Sequence, residues 1–267
     1  MLHLEKIVVI PTYNEQENIG NIIEAIFLLH QGYHILVIDD NSPDGTAEIV
    51  RSLQSKYAGE LFLEIRKDKL GLGTAYIYGF KWACKRGYSF IFEMDADFSH
   101  DPNDLERLYS ACKNDGADVS VGSRYVHGGG TVNWPWDRVI LSKGASIYSR
   151  MITWMPVRDC TAGFVCYRKE VLETINLDQI RFVGYAFQIE MKFAAWRLGF
   201  RIKEVPIVFK DRRLGLSKMN KGIVKEGILG VLNLRWQSLF KNYRNRVKNI
   251  EAKPIGAFSN EIMMGGK

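Results

Sequence analysis

The stretch Phe90-Ile-Phe-Glu-Met-Asp-Ala-Asp-Phe-Ser-His100 decides how this chain is read. Its apolar and aromatic first half predicts a buried strand. The strand runs into two carboxylates, Asp95 and Asp97, separated only by Ala96. Asp101, Pro102 and an acidic first turn then predict a helix over residues 102–113. Alternate residues of an extended chain point to the same face, so Asp95 and Asp97 would lie side by side if the strand continued. Carboxylates that close repel each other, and a divalent cation with oxygen ligands is the simplest neutraliser. A lone D-x-D is more often a polar strand end with a helix cap, so the flanking sequence must decide.

Toward the N-terminus the same pattern recurs. Residues 6–10 (Lys-Ile-Val-Val-Ile) predict a first buried strand, ending at Pro11-Thr-Tyr-Asn-Glu15. Asn14 and Glu17 have the spacing of a capping box ahead of a helix whose apolar face is Ile19, Ile22, Ile23, Ile26 and Phe27. Residues 34–40 predict a second strand, again ending in carboxylates, Asp39 and Asp40, before the turn Asn41-Ser-Pro-Asp-Gly45. A helix over 46–57, a strand over 61–65 and a helix reaching Lys85 follow. The last opens from Gly71-Leu-Gly73, which is neither a Walker motif nor a dinucleotide fingerprint. Residues 117–122 predict a fifth strand, leading to Ser123-Arg124-Tyr125.

Strands alternating with helices imply right-handed crossovers and an α/β fold with a mainly parallel sheet flanked by helices. Ligands of such sheets bind beyond the carboxyl ends of the strands. Here those ends carry Glu15, Asp40, Asp95, Asp97 and Arg124. That convergence favours a nucleotide-binding active site over a simple helix cap.

Beyond Gly130 the alternation weakens. Residues 126–130 (Val-His-Gly-Gly-Gly) predict a mobile loop, 138–155 a helix, 165–167 a short strand and 185–198 a helix with Glu190 in its middle. Residues 202–209 predict one strand, which Pro206 marks as an edge or a bend. The following Lys210-Asp-Arg-Arg-Leu-Gly-Leu-Ser-Lys218 gathers Arg212, Arg213 and Lys218 around a glycine, as a phosphate-clamping loop would. Residues 222–240 are apolar but interrupted by charges, which suits an interfacial amphipathic helix. Three parts are expected: a catalytic domain over 1–220, an interfacial helix over 221–245 and a basic tail without regular structure over 246–267.

The bulk composition, 46% hydrophobic and 25% charged in 267 residues, is that of a globular protein. The net charge of +6 is concentrated near the end, at Lys241, Arg244, Arg246, Lys248 and Lys253, which suits an anionic surface. The basic residues lack interleaved aromatics, and strand-end carboxylates would repel phosphates, so nucleic acid is not the expected partner. The four cysteines fit no zinc spacing and read as reduced thiols of a cytoplasmic protein. No leader and no membrane span is expected.

Taken together and in order, Pro11-Thr-Tyr-Asn-Glu15, Ile38-Asp-Asp-Asn-Ser-Pro-Asp-Gly45, Gly71-Leu-Gly-Thr-Ala75, Met94-Asp-Ala-Asp97, Gly122-Ser-Arg-Tyr125 and Arg212 with Ser217-Lys218 resemble the dolichyl-phosphate (polyprenyl-phosphate) β-D-mannosyltransferases of glycosyltransferase family 2. The resemblance implies the GT-A fold. It implies inverting transfer of mannose from GDP-mannose to a polyprenyl (dolichyl-type) phosphate, by an enzyme peripheral on the cytoplasmic face of the membrane. It assigns Pro11, Tyr13, Glu15, Ile38 and Asp40 to the nucleoside. Asp95, Ala96 and Asp97 would hold the pyrophosphate through Mg²⁺ or Mn²⁺, and Arg124, Arg212 and Lys218 would take donor or acceptor phosphates. Asp97 and Arg124 are the implied catalytic pair. Many members carry a Gln two residues after the second Asp; here Ser99 stands there, as a weaker metal ligand.

Elementary chemistry agrees with this scheme. A lipid phosphate is an anionic nucleophile at neutral pH and needs no strong base. What must be supplied is stabilisation of the leaving group and alignment of two anions. Two alternatives fit the same residues less fully. One is a glucosyltransferase using UDP-glucose on the same lipid. The other is a non-catalytic nucleotide-sugar-binding protein at the membrane surface, which would not require Asp95 and Asp97.

Overall fold

A computed structural model of the chain describes residues 4–184, 186–211, 221–238 and 243–245. The first half alternates as expected: β1 (Lys6–Thr12), α1 (Ile19–Phe27), β2 (Tyr33–Asp39), α2 (Thr46–Gln54), β3 (Leu61–Ile65), α3 (Leu72–Arg86), β4 (Phe90–Glu93), α4 (Leu105–Lys113) and β5 (Val119–Ser123). The second half contributes β6 (Gly130–Val132), α5 (Trp136–Thr153), β7 (Val165–Arg168), α6 (Lys169–Thr174), α7 (Ala186–Arg197), β8 (Ile202–Pro206), β9 (Val208–Lys210) and α8 (Lys221–Gln237).

Seven strands form the main sheet in the order β3-β2-β1-β4-β7-β5-β8. All its pairings are parallel except those of β7 with β4 and β5. The β-branched runs are buried on both faces, as a helix-covered parallel sheet requires. Ile7, Val9, Leu36 and Ile38 pack in the layer with α3 and α7, whereas Val8, Ile10, Ile35 and Val37 pack in the layer with α1 and α4. The chain moves outward from β1 to β3 and then resumes at β4 on the other flank of β1. A crevice opens at such a reversal, beyond the carboxyl ends of β1 and β4.

Close packing accounts for the Gly71-Leu-Gly73 signal. The Gly73 N–H donates to the Val183 carbonyl at 2.9 Å. A Cβ on Gly73 would come within 2.7 Å of the Phe182 carbonyl oxygen and 2.8 Å of the Phe187 ring. This glycine therefore lets the first turn of α3 approach the segment before α7.

Several local expectations are corrected. Asn14 is not a helix cap: it takes a left-handed φ of 56°, and α1 begins only at Ile19. The N–H groups of Asn14, Glu15 and Gln16 are instead taken by Ser42, Thr46 and Asp44, at 3.0 Å each. Those bonds tie the β1–α1 loop to the β2–α2 loop. β4 ends at Glu93, so Asp95 and Asp97 are presented from a bend, with Phe98 at a φ of 58°, rather than from extended strand. The predicted strand over 202–209 divides at Ile207. Its first part, β8, is the parallel edge of the main sheet, and β9 pairs with β6, which occupies the end of the predicted mobile loop. Within the segment expected to be interfacial, Val231, Leu234 and Tyr243 are buried in the core layer of α3 and α7. The basic tail over 246–267 lies outside the described residues.

Candidate active site

The crevice is built from strand ends. β1 delivers Pro11, Tyr13 and Glu15, all half-buried, and β2 delivers the buried Asp40. The Lys69 ammonium lies 3.9 Å from the centre of the Tyr13 ring. Asp39 accepts from Thr12 Oγ1 at 2.8 Å, from the Ser42 N–H at 2.8 Å and from Ser42 Oγ at 2.6 Å, so it holds the turn. Arg66 Nε donates to Asp40 Oδ1 at 2.5 Å, and the same guanidinium binds Thr74 Oγ1 and the Gly71 carbonyl. Arg66 thus locks β2 to the start of α3. Ile38 is fully buried in the core, within the sheet between β1 and β3.

A cavity of about 540 Å³ opens at the ends of β4 and β5. Asp95, Asp97, Ser99 and Arg124 all line it, together with Ile140, Leu141 and Tyr148 of α5 and Val231 of α8. Tyr76 donates to Asp95 Oδ1 at 3.3 Å. Burial first, and Asp95 next, push the Tyr76 hydroxyl well above the usual tyrosine range, which keeps it a donor. The Ser99 N–H donates to Asp97 Oδ1 at 3.1 Å. His100 Nδ1 accepts from the Asp95 N–H at 3.4 Å, and its ring stacks on Phe164 with centroids 4.9 Å apart. Burial pushes His100 down to about 4 against the opposing pull of Asp97, so the ring is neutral and serves as a spacer under the loop.

The donor set fits a hard divalent cation. Asp95 and Asp97 bring carboxylate oxygens, and Ser99 Oγ is buried with no hydrogen-bond partner among the described residues. A buried hydroxyl left unsatisfied is unfavourable, and a cation or its water would satisfy it. No cluster of three or more His, Cys, Asp or Glu gathers among the described residues. The remaining coordination would therefore come from phosphate oxygens and water, as is usual for Mg²⁺.

Arg124 is a buried, fixed cation. Its Nε and Nη2 donate to Asp159 Oδ2 and Oδ1, both at 2.7 Å, and Nη2 also reaches Thr161 Oγ1 at 2.9 Å. The pair is at most 7% exposed on its side chains. Burial disfavours the Arg124 charge, but Asp159 outweighs it and holds the pKa above the ordinary arginine value. A second cation, Arg138 of α5, pairs with Asp211 at 3.1 Å and lies 5.1 Å from the Trp134 ring; all three line the cavity. Arg212 and Lys218 lie outside the described residues.

The sequence reading named Asp95, Asp97, Ser99 and Arg124, which line one cavity, with Ala96 buried between the two carboxylates, and it named Pro11, Tyr13, Glu15, Ile38 and Asp40, which lie in or just beyond β1 and β2 and outside that cavity's lining. It missed Arg66, Tyr76, His100, Arg138 and Asp159. Asp159 had a signal, since it opens the turn Asp159-Cys-Thr-Ala-Gly163. Its partner was not readable, because the two lie 35 residues apart.

The α5–α8 side of the cavity is apolar and exposed. The two helices pack together, and Arg235 lies 4.6 Å from the Trp154 ring. Trp136, Met151, Trp154 and Trp236 are 83%, 70%, 71% and 68% exposed. No helix among the described residues is long and apolar enough to cross a membrane.

Comparison with known proteins agrees with this geometry. The profile of "Glycosyl transferase family 2" matches residues 7–175. The chain is 46% identical over 225 residues to the polyprenol monophosphomannose synthase of Mycolicibacterium smegmatis, covering 84% of each chain. It is 44% identical over 239 residues to the undecaprenyl-phosphate mannosyltransferase of Micrococcus luteus, covering 86% of this chain and 96% of the relative. Among solved structures, glucosyl-3-phosphoglycerate synthase from Mycobacterium tuberculosis, in complex with Mn²⁺, UDP and glucosyl-3-phosphoglycerate, superimposes with a TM-score of 0.64. That match has 17% identity and covers 86% of this chain and 79% of the other. A mannosyltransferase from Pyrobaculum calidifontis in complex with GDP-Man and Mn²⁺ gives a TM-score of 0.56 at 15% identity, over 90% of this chain and 66% of that one. The fold is GT-A-like, and the chain is a glycosyltransferase that belongs to glycosyl transferase family 2.

Proposed function

We propose that this enzyme transfers mannose from GDP-mannose to the phosphate of a polyprenyl lipid, with inversion at the anomeric carbon, while resting on the cytoplasmic face of a membrane. The observation that carries the reading is one cavity lined both by Asp95 and Asp97 and by Ile140 and Leu141, apolar residues exposed on α5. A sugar nucleotide needs the first, and a polyprenyl chain leaving a bilayer needs the second. The names of the two relatives at 44–46% identity support the same sugar and the same acceptor class.

The roles follow from placement. Pro11, Tyr13, Glu15, Asp40 and the Ile38 backbone would receive the nucleoside at the ends of β1 and β2. Asp95 and Asp97, with Ser99 and the Ala96 backbone beside them, would hold Mg²⁺ or Mn²⁺. When bound, the ion supplies neutralisation of the charge that develops on the leaving nucleoside diphosphate. Arg124, fixed by Asp159, faces the same cavity and opposes repulsion between the two phosphates. Its bidentate anchoring keeps the charge in place without reorganisation during the reaction. Arg212 and Lys218 would complete the anion clamp. No side chain is asked to remove a proton, since the acceptor phosphate is already ionised. The indoles of Trp136, Trp154 and Trp236, around a patch with Met151, suit the interface between headgroups and acyl chains.

The direct test incubates the purified protein with GDP-mannose or UDP-glucose, a polyprenyl phosphate and Mg²⁺ or Mn²⁺. A mannosylated lipid from which mild acid releases mannose is expected. Glucosylated lipid instead would replace the donor assignment, and no lipid product with either donor would overturn the reading.

A further inference from the structure

Behind the cavity wall lies a buried polar chain that the transfer chemistry above does not use. Glu93, the last residue of β4, is fully buried, and its Oε2 accepts from Gln188 Nε2 at 2.6 Å. The same Gln188 offers its Oε1 to the Lys192 ammonium at 3.3 Å. Lys192, also fully buried, donates to the Gln188 carbonyl at 3.1 Å and to the Ala162 carbonyl at 2.6 Å. Among the described residues no direct ion pair joins Glu93 to Lys192; the carboxylate and the ammonium meet through one amide.

Burying two charges this way is unfavourable, and an apolar pair of similar volume would often be at least as stable. Burial pushes Glu93 up and Lys192 down, in the directions expected of charges removed from water. What the chain accomplishes is geometric. Glu93 stands two residues before Asp95. Ala162 belongs to the turn in which Asp159 and Thr161 grip Arg124. Gln188 lines the cavity itself.

We propose that Glu93 and Lys192 are positioning residues that set the distance between the Asp95–Asp97 loop and the Arg124 turn, with Gln188 as the bridge. The inference rests on the transfer reading above. Lys192 pins the Arg124 turn to α7, and Glu93 pins α7 to the strand that presents the carboxylates. Loosening either contact leaves each group present but out of register, which lowers turnover more than it lowers binding.

Two double variants separate positioning from mere structural support. Glu93→Gln with Lys192→Gln keeps hydrogen-bonding groups at both positions without charge. Glu93→Leu with Lys192→Met removes charge and hydrogen bonds together. Active sites are counted by binding of GDP with Mn²⁺, and kcat is expressed per binding site. The apolar pair is expected to lose roughly 10- to 100-fold in kcat, with the KM for polyprenyl phosphate and the GDP–Mn²⁺ affinity within about twofold of the parent enzyme. The amide pair should retain kcat within about threefold, because the bridge is kept. Equal kcat in the two variants, at similar thermal midpoints, would overturn the proposal. If the apolar pair does not fold, Lys192→Met alone takes its place, and parental kcat in that variant is equally fatal. A parent enzyme that transfers no mannose to the lipid would instead refute the function proposed above, before either variant is compared.

Discussion

The two sides of the crevice are held together by different chemistry. On the β1–β2 side, neighbouring loops are knitted by short polar residues: Asp39 takes three hydrogen bonds from Thr12 and Ser42, and Asp44 fastens the N–H groups of Gln16 and Thr46. On the β4–β5 side, the Arg124–Asp159 ion pair and the Glu93–Gln188–Lys192 chain span the wall, and the adjoining helices α5 and α8 carry exposed tryptophan and methionine. On the proposed reading, the first side would receive one rigid ligand, a nucleoside, and the second would fix a phosphate beside a long, featureless chain, for which it offers a rigid buried cation and an unspecific apolar surface. The contrast places precision where charge develops and permissiveness where only hydrocarbon is held.

The contrast can be broken, beginning with its largest effect. Asp97→Asn should lower mannosyl transfer by about a thousandfold or more while leaving the fold intact, as read by radiolabelled lipid product and circular dichroism. Transfer at the parental rate would mean that the carboxylate pair is not the centre of the site. Asp159→Ala should destabilise the protein by about 3–5 kcal/mol in denaturant titration, because it strands the buried Arg124 charge. A loss under about 1 kcal/mol would show that Arg124 is screened by solvent and not held as a fixed cation.

Smaller effects sharpen the comparison. Replacing Trp136, Met151 and Trp154 together with serine should weaken sedimentation with anionic vesicles by about thirtyfold, judged by the apolar area lost. GDP binding, measured by calorimetry, should stay unchanged, since no β1 or β2 residue is altered. Unaltered vesicle binding would assign the exposed face to something other than a membrane. A change of similar size is expected for Ser42→Ala. It removes one of several bonds to Asp39 and should cost about 1.5–3 kcal/mol in stability, with nucleotide affinity falling alongside it. If the affinity is unmoved, the knitted loops serve the fold and not the nucleoside.

What could be read without coordinates follows the same division. The donor side was legible because its pieces are contiguous in sequence: a β-branched run, a turn, a carboxylate and a helix start. Even there the cap at Asn14 was misplaced, because its N–H is captured by Ser42, 28 residues away. A local pattern cannot register a bond that reaches from another loop. The apolar residues of 138–155 were legible as helical, but their spacing alone does not say which of them are exposed. Hydrophobic spacing reads the same whether the face meets a core or a bilayer.

The amino-acid order by itself determined the βα alternation, the parallel sheet of an α/β fold and the carboxylates at its open end. Periodicity and turn chemistry act over a few residues, and chirality then fixes the crossovers. Only the tertiary structure decided that β7 enters antiparallel between β4 and β5, that Arg124 is gripped by Asp159, and that Glu93 reaches Gln188 across 95 residues. It also decided that Asp95 and Asp97 leave the strand before they meet the cavity. The physical reason is that a buried charge is stable only beside a partner, and strand order, not sequence separation, chooses which partner is near.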